Sequence, residues 1–153
     1  MTIRTALGLL AAVGAWGGVW FVAQSAPVPD GLGVVDGELA PCPGTPNCVR
    51  TEDGGHLVLR DNTEATWGRL VDLVSSMPRT RIVRETDRYI RAEARTAVFR
   101  FIDDLELLWL RDSGQVQVRS ASRLGAGDLG VNARRLEQLR SLAQEAGLTL
   151  PPD

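Results

Sequence analysis

The chain has 153 residues, of which 44% are hydrophobic and 24% are charged, and this composition is typical of a globular protein with one packed domain. The formal net charge of −2 does not favour a nucleic-acid partner. All 17 basic residues are arginine, so covalent catalysis through a lysine amine is excluded. Arginine instead favours paired recognition of carboxylates or phosphates.

The N-terminal part of the chain carries a long apolar segment. Residues 5–23, TALGLLAAVGAWGGVWFVA, contain no charge, and as a helix they would span roughly 28 Å, the thickness of a bilayer core. Arg4 precedes the segment and the next charge is Asp30, which predicts a cytoplasmic N-terminus with the rest of the chain outside the cytoplasm. The alternatives are an uncleaved anchor, a signal peptide cleaved near Ser25, and a buried helix of a cytosolic protein.

These patterns divide the chain into three regions. Residues 1–26 are predicted to be the membrane anchor or signal segment, and residues 27–40, rich in Gly, Pro and Ala, to be a linker. Residues 41–150 are predicted to form a single α+β domain. We expect this domain to be membrane-anchored through residues 5–23 on the periplasmic or extracytoplasmic side, or secreted to the periplasm after cleavage near Ser25.

The domain is predicted to begin with a helix, which Asn62 or Thr63 would cap and Pro78 would end. Its apolar residues recur at helical spacing: Trp67, Leu70, Val71, Val74 and Met77. Strands are predicted at 80–85 and 88–96. The strand pattern continues through 97–101 (AVFRF) and 105–110 (LELLWL), with a break or bend at Asp103-Asp104.

The chain is then predicted to turn at 112–114 (DSG) and to return as a strand over 115–122 (QVQVRSAS). A final helix, capped by Asn132, is expected to run to about Ala146 before Gly147 ends it. Its inner face would carry Leu136, Leu139 and Ala143. This order predicts a two-layer α+β sandwich, an antiparallel sheet with two helices, preceded by an N-terminal transmembrane or signal helix.

Gly125, Gly127 and Gly130 form the pattern G-x-G-x-x-G between a predicted strand and a predicted helix. A dinucleotide site is not expected, because the helix cap lies after the glycines and Asp128 would repel a phosphate. The glycines are more simply explained by a sharp turn that Asp128 and Asn132 support. An anion or polar-ligand site at the helix start is the alternative, with charge from arginines: Arg123, Arg134 and Arg135.

Cys42 and Cys48 are the only cysteines, and in an oxidising compartment they are expected to form a disulfide across a short proline-rich loop. A metal site with His56 is an alternative, although a fourth ligand is not evident. A nucleophilic cysteine with His56 as its base is the other alternative.

Asp103, Asp104 and Glu106 form an acidic cluster that invites a metal or acid–base interpretation. Hairpin pairing favours ion pairs instead. With a two-residue turn Asp104 would lie opposite Arg123, and with a three-residue loop Asp103 would do so. In either register Arg123 meets one of the two aspartates, and with the two-residue turn Glu106 also lies diagonal to Arg119 and Arg123. This favours a salt-bridge network, with a polar ligand site or a metal site as the alternatives.

Ser120 and Ser122 share a strand face with Val116 and Val118, which predicts that both serines are buried and hydrogen-bonded. Neither serine has a histidine or lysine nearby in sequence to activate it, so catalysis by a serine nucleophile is not expected.

Three segments, CPGTPNCV at 42–49, FIDDLE at 101–106 and RSASRLGAGDLGVNARR at 119–135, resemble the domain of unknown function family numbered 1499 over roughly residues 40–147. The resemblance implies a small bacterial protein with a membrane-targeting segment and no established biochemical activity; related domains occur in chloroplasts. This family commonly has an aromatic residue and a serine where this chain has Ala126 and Gly127. The positions that match the third motif are Arg119, Ser120, Ser122, Arg123, Gly125, Asp128, Gly130, Asn132 and Arg135.

The sequence as a whole predicts a non-catalytic, membrane-tethered extracytoplasmic domain that binds a small polar or anionic ligand or an envelope partner. No cofactor, metal, nucleic acid or dinucleotide is expected. The alternative is an acid–base enzyme in which Asp103, Asp104 or Glu106 acts on an anionic substrate held by Arg119 and Arg123. The candidate site residues are Asp103, Asp104, Glu106, Arg119, Ser120, Ser122, Arg123, Asp128, Asn132 and Arg135.

Overall fold

The computed structural model describes residue 21, residues 23–51 and residues 55–151. Apart from Phe21 and Ala23, the apolar segment at residues 5–23 lies outside the described residues. Within the described part, no helix is long and apolar enough to cross a membrane.

The described residues form eight strands and two helices. In chain order they are β1 (Val34–Val35), β2 (Glu38–Leu39), β3 (Cys48–Arg50), β4 (Leu57–Val58), α1 (Glu64–Ser76), β5 (Thr80–Glu85), β6 (Tyr89–Arg95), β7 (Ile102–Leu110), β8 (Gln115–Ser122) and α2 (Val131–Glu145). Strands β3 to β8 make one sheet in the order β3-β8-β7-β6-β5, with β4 also paired to β8, and β1 and β2 form a separate hairpin. Every pairing is antiparallel, which confirms the predicted α+β class with an antiparallel sheet and two helices.

Both helices cover the same face of the sheet and enclose the main core. Along β7 and β8 the side chains alternate between faces, and the inward set meets the apolar stripes of α1 and α2. Trp67 of α1 stacks on Trp109 of β7 with ring centroids 6.0 Å apart. The fully buried core includes Leu70, Val74, Leu105, Leu107, Val116, Val118, Leu139 and Ala143.

The first helix follows its prediction closely, whereas the cap of the second differs. Thr63 caps α1 by accepting a hydrogen bond from the backbone N–H of Thr66 at 3.2 Å, and Met77 ends the helix before Pro78. In α2 the capping position is Gly130 rather than Asn132, which lies inside the first turn. Asn132 was wrongly predicted as the cap, because its side chain points inward and Asp128 accepts its backbone N–H at 2.7 Å.

The strand predicted at 97–101 is wrong, since these residues form the loop between β6 and β7. The loop closes where Thr96 N–H donates to the Phe101 carbonyl at 3.0 Å and Phe101 N–H donates to Thr96 Oγ1 at 2.9 Å. Arg100 has a φ of 62°, which regular strand geometry does not allow. The break predicted at Asp103-Asp104 is also wrong, because β7 runs through both residues.

The β7–β8 connection has four residues, so both predicted registers are wrong. Leu110 pairs with Gln115, and Gly114 closes the turn with a φ of 72° and an N–H bond of 2.9 Å to the Leu110 carbonyl. Asp103 therefore lies opposite Ser122, and Asp104 opposite Ala121. Arg123 therefore contacts Asp104 diagonally across the β7–β8 pair rather than from the directly opposite position.

The second face of the sheet is covered by residues 23–40, whose composition predicted a linker over 27–40. Leu39 is 1% exposed and packs with Tyr89 and Leu108. The Leu39 N–H donates to Gln117 Oε1 at 2.8 Å, and Gly33 N–H donates to Glu106 Oε1 at 2.6 Å. This stretch of chain is therefore packed closely against the domain in the structure.

Candidate functional site

The acidic cluster is divided between the two faces of the sheet. Because successive residues of a strand point to opposite sides, Asp103 faces the helices, while Asp104 and Glu106 face the covering segment. All three side chains are almost fully buried. The candidate residues therefore form two separate clusters.

The cluster on the covered face is an ion-pair network. Arg123 Nε donates to Asp104 at 2.7 Å, and its Nη2 donates to Glu93, also at 2.7 Å. Arg119 pairs with Glu106 at 2.6 Å. The hydrogen bonds to Asp104 and Glu93 raise the pKa of Arg123 although burial lowers it. These contacts confirm the predicted guanidinium–carboxylate network for Asp104 and Glu106, whereas Asp103 pairs with Arg135 instead.

Glu106 is held by three groups and is closed off from solvent. In addition to Arg119, it accepts a hydrogen bond from the Tyr89 hydroxyl at 2.8 Å and one from Gly33 N–H. Burial and the neighbouring Glu106 carboxylate raise the pKa of Tyr89, so its hydroxyl keeps the proton that it donates. Glu106 is 0% exposed, whereas Asp104, itself 1% exposed, lines a cleft of about 250 Å³ with Arg119 and Arg123.

The cluster on the helix face joins Asp103 to α2. Arg135 Nη2 donates to Asp103 Oδ2 at 2.6 Å, and its Nη1 contacts Ser120 Oγ at 3.0 Å and Asn132 Oδ1 at 2.6 Å. The Ser120 hydroxyl donates to Asn132 Oδ1 at 2.7 Å. Asn132 Nδ2 lies 2.9 Å from Ser122 Oγ. Both serines are hydrogen-bonded as predicted, with Arg135 and Asn132 as partners, but only Ser120 is buried. The prediction of burial was wrong for Ser122, which is half-buried because it lies at the end of β8 and lines a pocket.

The glycine loop is anchored by Asp128 and by Asn47. Asp128 accepts the backbone N–H groups of Gly130 and Asn132 at 2.9 and 2.7 Å. Partial burial raises the pKa of Asp128, but these N–H groups and the Asn132 side chain outweigh burial and lower it. Asn47 Nδ2 donates to the Gly125 carbonyl at 2.5 Å, which ties the cysteine loop to the glycine loop. These contacts agree with the interpretation of the glycines as a supported turn.

A pocket of about 530 Å³, here called the motif pocket, opens beside the helix-face cluster. The 96–101 loop and the glycine loop form its two sides, and most of its lining is apolar. The apolar side chains are Val98, Phe99, Phe101, Leu124, Leu129 and Val131. Of the predicted site residues, Asp103, Ser122 and Asp128 also line it.

Asp103, which lines this pocket, has one carboxylate oxygen without a hydrogen-bond partner among the described residues. Its Oδ2 is paired with Arg135, whereas its Oδ1 is buried without a hydrogen-bond partner among the described residues. Asp103 as a whole is 0% exposed. A buried carboxylate oxygen without a donor is costly and uncommon in folded proteins.

Cys42 and Cys48 form the predicted disulfide, with their Cα atoms 5.7 Å apart. The bond uses both thiols, which removes the thiolates that a metal site or a nucleophilic cysteine with His56 would need. Within the ranges that the structure describes, no group of three or more His, Cys, Asp or Glu side chains is placed to hold a metal.

The predicted site residues are divided between the two faces of the sheet. The helix face carries Asp103, Ser120, Ser122, Asp128, Asn132 and Arg135. The face covered by residues 23–40 carries Asp104, Glu106, Arg119 and Arg123. The sequence pattern did not identify Asn47, although it stands inside the cysteine motif. The sequence did not predict the apolar wall at Val98 and Phe99, because the alternation in AVFRF favoured a strand at these residues.

Comparison with known proteins agrees with the motif resemblance. A family model described as "Protein of unknown function (DUF1499)" matches residues 38–142, which is more than half of the chain and contains both clusters. No curated protein matches the chain. The chain therefore belongs to the DUF1499 family of proteins of unknown function.

Proposed function

We propose that this protein is a membrane-tethered extracytoplasmic domain without catalytic activity, and that it binds a small ligand in the motif pocket. The observation that carries the proposal is the buried Asp103 Oδ1, which lacks a donor among the described residues and belongs to a residue that lines an apolar pocket. A hydroxyl or N–H group of a ligand would satisfy this oxygen. The tether and the location rest on the uncharged segment at residues 5–23.

The size and chemistry of the motif pocket suit an organic ligand. Its volume of about 530 Å³ lies within the range of about 300–1,000 Å³ that is usual for small-molecule sites. Such sites combine apolar walls with a few placed polar groups. Here the walls include Phe101, Leu124 and Val131, and the polar groups include Asp103 and Ser122.

The hydrogen bonds and burial of the candidate catalytic side chains favour ligand binding over catalysis. Ser120 and Ser122 are bonded to Asn132, and no general base contacts either hydroxyl among the described residues. The acid–base alternative uses Asp103, Asp104 or Glu106, and of these Asp104 and Glu106 are 1% and 0% exposed. Asp103 alone of the three acids lines the motif pocket, and Arg135 holds its other oxygen.

Nuclear magnetic resonance of the full chain in octyl glucoside micelles tests this proposal. Octyl glucoside is the probe, since it joins an apolar chain to hydroxyl donors. We expect nuclear Overhauser effects from its octyl protons to the methyl groups of Leu124 and Val131. The Leu124→Asp variant should lose the effect at Val131, while Leu150→Asp, at a leucine that is 42% exposed and outside the pocket lining, should keep it. Effects confined to the N-terminal apolar segment would contradict the proposal.

A further inference from the structure

We infer that the ligand of the motif pocket is an anionic phospholipid of the surrounding membrane whose headgroup carries hydroxyls. Its acyl chain would lie on the apolar walls of the pocket and its phosphate in a neighbouring cleft. A headgroup hydroxyl between the two would donate to Asp103, whose partner Arg135 lines that cleft. The inference rests on the proposed function and names the ligand class. It depends on three features: an arginine-lined cleft beside the pocket, the bonding of those arginines, and an exposed apolar rim.

The cleft, here called the arginine cleft, has a volume of about 340 Å³. Its lining contains four arginines and no acidic residue. Thr96, Ala97 and Val131 line both the cleft and the motif pocket, so the two cavities are adjacent. An apolar cavity beside a cationic one matches the two ends of an anionic amphiphile. The four arginines are Arg79, Arg95, Arg134 and Arg135.

Two of these arginines have no carboxylate partner within the described part of the chain. Arg79 Nε donates to the Arg95 carbonyl at 3.1 Å, and Arg134 Nη1 donates to the Leu129 carbonyl at 2.9 Å. Both residues are exposed. Each guanidinium therefore keeps an uncompensated charge and further N–H donors, the groups that bind phosphate oxygens in pairs.

The rim of the motif pocket is unusually apolar for a surface. Leu129 is 95% exposed, Val98 64% and Phe99 39%. Leu129 also has a φ of 54°, a conformation that leucine adopts at an energetic cost. Exposed apolar groups held in this way are typical of a surface that meets another apolar phase.

The rim lies beside the point where the predicted membrane segment ends. Gln24 Nε2 donates to the Arg100 carbonyl at 3.0 Å, and Arg95 donates to Gln24 Oε1. These bonds join residue 24 directly to the 96–101 loop. If residues 5–23 cross the bilayer, this loop is held close to the lipid surface, and the bilayer is the nearest source of an amphiphile.

Native mass spectrometry of the full chain in detergent, with phosphatidylglycerol or phosphatidylcholine of identical acyl chains, tests the inference. We expect phosphatidylglycerol to be retained about tenfold better, because both lipids carry the phosphate but the arginines repel the choline cation of phosphatidylcholine. Replacing both Arg79 and Arg134 with glutamine should bring this ratio close to one. The matched control replaces Arg60 and Arg69 with glutamine, because these arginines likewise donate to backbone carbonyls, at 3.2 and 3.4 Å, but lie outside the cleft lining.

The outcomes separate this inference from the proposed function. Equal retention of the two lipids would overturn the inference, as would a preference that survives in the Arg79→Gln, Arg134→Gln variant. In either case, octyl glucoside contacts at Leu124 would still support the proposal that the motif pocket binds a ligand. If those contacts are missing as well, both proposals fail together.

Discussion

Asp103 and Asp104 are neighbours in sequence, but they lie on opposite faces of the sheet and have different roles. Asp104 accepts hydrogen bonds from Arg91 and Arg123 in a closed network, whereas Asp103 has one paired oxygen and one without a partner among the described residues. The first arrangement serves the fold. The second leaves a bonding site that a ligand could fill.

Arg123→Met should lower the free energy of unfolding by about 2–3 kcal/mol, because buried Asp104 loses its closest partner and keeps, among the described residues, only Arg91 at 3.1 Å. Urea unfolding monitored by tryptophan fluorescence measures this change. The control is Arg69→Met, at a surface arginine that donates to the Ala146 carbonyl, and it should change the free energy by less than about 0.5 kcal/mol. Equal losses in both variants would show that the network does not stabilise the protein.

Asp128→Asn should destabilise the protein at pH 7, because an amide has one acceptor oxygen where the carboxylate has two that serve backbone N–H groups. The pKa of Asp128 in the folded protein lies below its ordinary 3.8. Ionised Asp128 therefore contributes stability above about pH 4, and this contribution is lost as the pH falls through the folded-state value.

The difference in unfolding free energy between wild type and Asp128→Asn should accordingly narrow below about pH 4. Chemical denaturation at a series of pH values measures it, with Asp72→Asn at an exposed position of α1 as the control. A difference that stays constant into the acid range would contradict the assigned hydrogen bonds.

Among the elements, the disulfide loop supports the glycine loop, which forms one side of the motif pocket. The disulfide loop holds Asn47, which is 5% exposed and bonds to the glycine loop through the Gly125 carbonyl. The glycine loop in turn forms one wall of the pocket. The stability of the cysteine loop is therefore coupled to the shape of the pocket.

Replacing Cys42 and Cys48 with serine should lower the free energy of unfolding by roughly 2 kcal/mol, from the loss of a short covalent loop. Hydrogen exchange of the amides at 125–130 should also accelerate, because Asn47 loses its constraint. Exchange that is faster only within residues 42–48 would show that the two loops are independent.

Leu129→Asn should raise the free energy of unfolding by about 1 kcal/mol, because asparagine tolerates a positive φ better than leucine does. It should also weaken the octyl glucoside contacts at Leu124, since the rim loses an apolar side chain. Thermal unfolding and the micelle spectra measure the two effects. Val35→Asn, at another exposed apolar position, is the control and should show neither.

The helices and most strands were predictable because their apolar residues recur at the period of the element, as in Trp67, Leu70 and Val74 of α1. The 96–101 loop was not predictable, because alternation in AVFRF resembles a strand. In the structure Thr96 Oγ1 accepts the Phe101 N–H and closes a loop instead. The hairpin register depended on the length of the turn, which local residue types do not determine. The placement of Asn132 depended on tertiary contacts to Ser120 and Ser122.

At the scale of the whole molecule, the sheet is covered on both faces. The helices cover one face, and residues 23–40 cover the other through contacts such as Leu39 on Tyr89 and Leu108. Composition could not show this packing, because short Gly- and Pro-rich segments resemble linkers. The segment joins the predicted membrane anchor to the sheet and buries Asp104 and Glu106.

Leu39→Ala should therefore lower the free energy of unfolding by about 2–4 kcal/mol, the cost of truncating a buried leucine. Val35→Ala, at a position that is 53% exposed in the same segment, should change it little. Urea unfolding of the full chain compares the two. Equal and small effects would mean that residues 27–40 act as a linker in solution.

The intact mass of the protein, extracted gently from its own membranes, tests the central claim most directly. The claim predicts an excess mass under native spray that corresponds to a phospholipid and disappears under denaturing spray. The Leu124→Asp variant, purified in the same way, should lack this excess. A wild-type protein whose native and denatured masses are the same would contradict the proposal that the motif pocket holds a ligand.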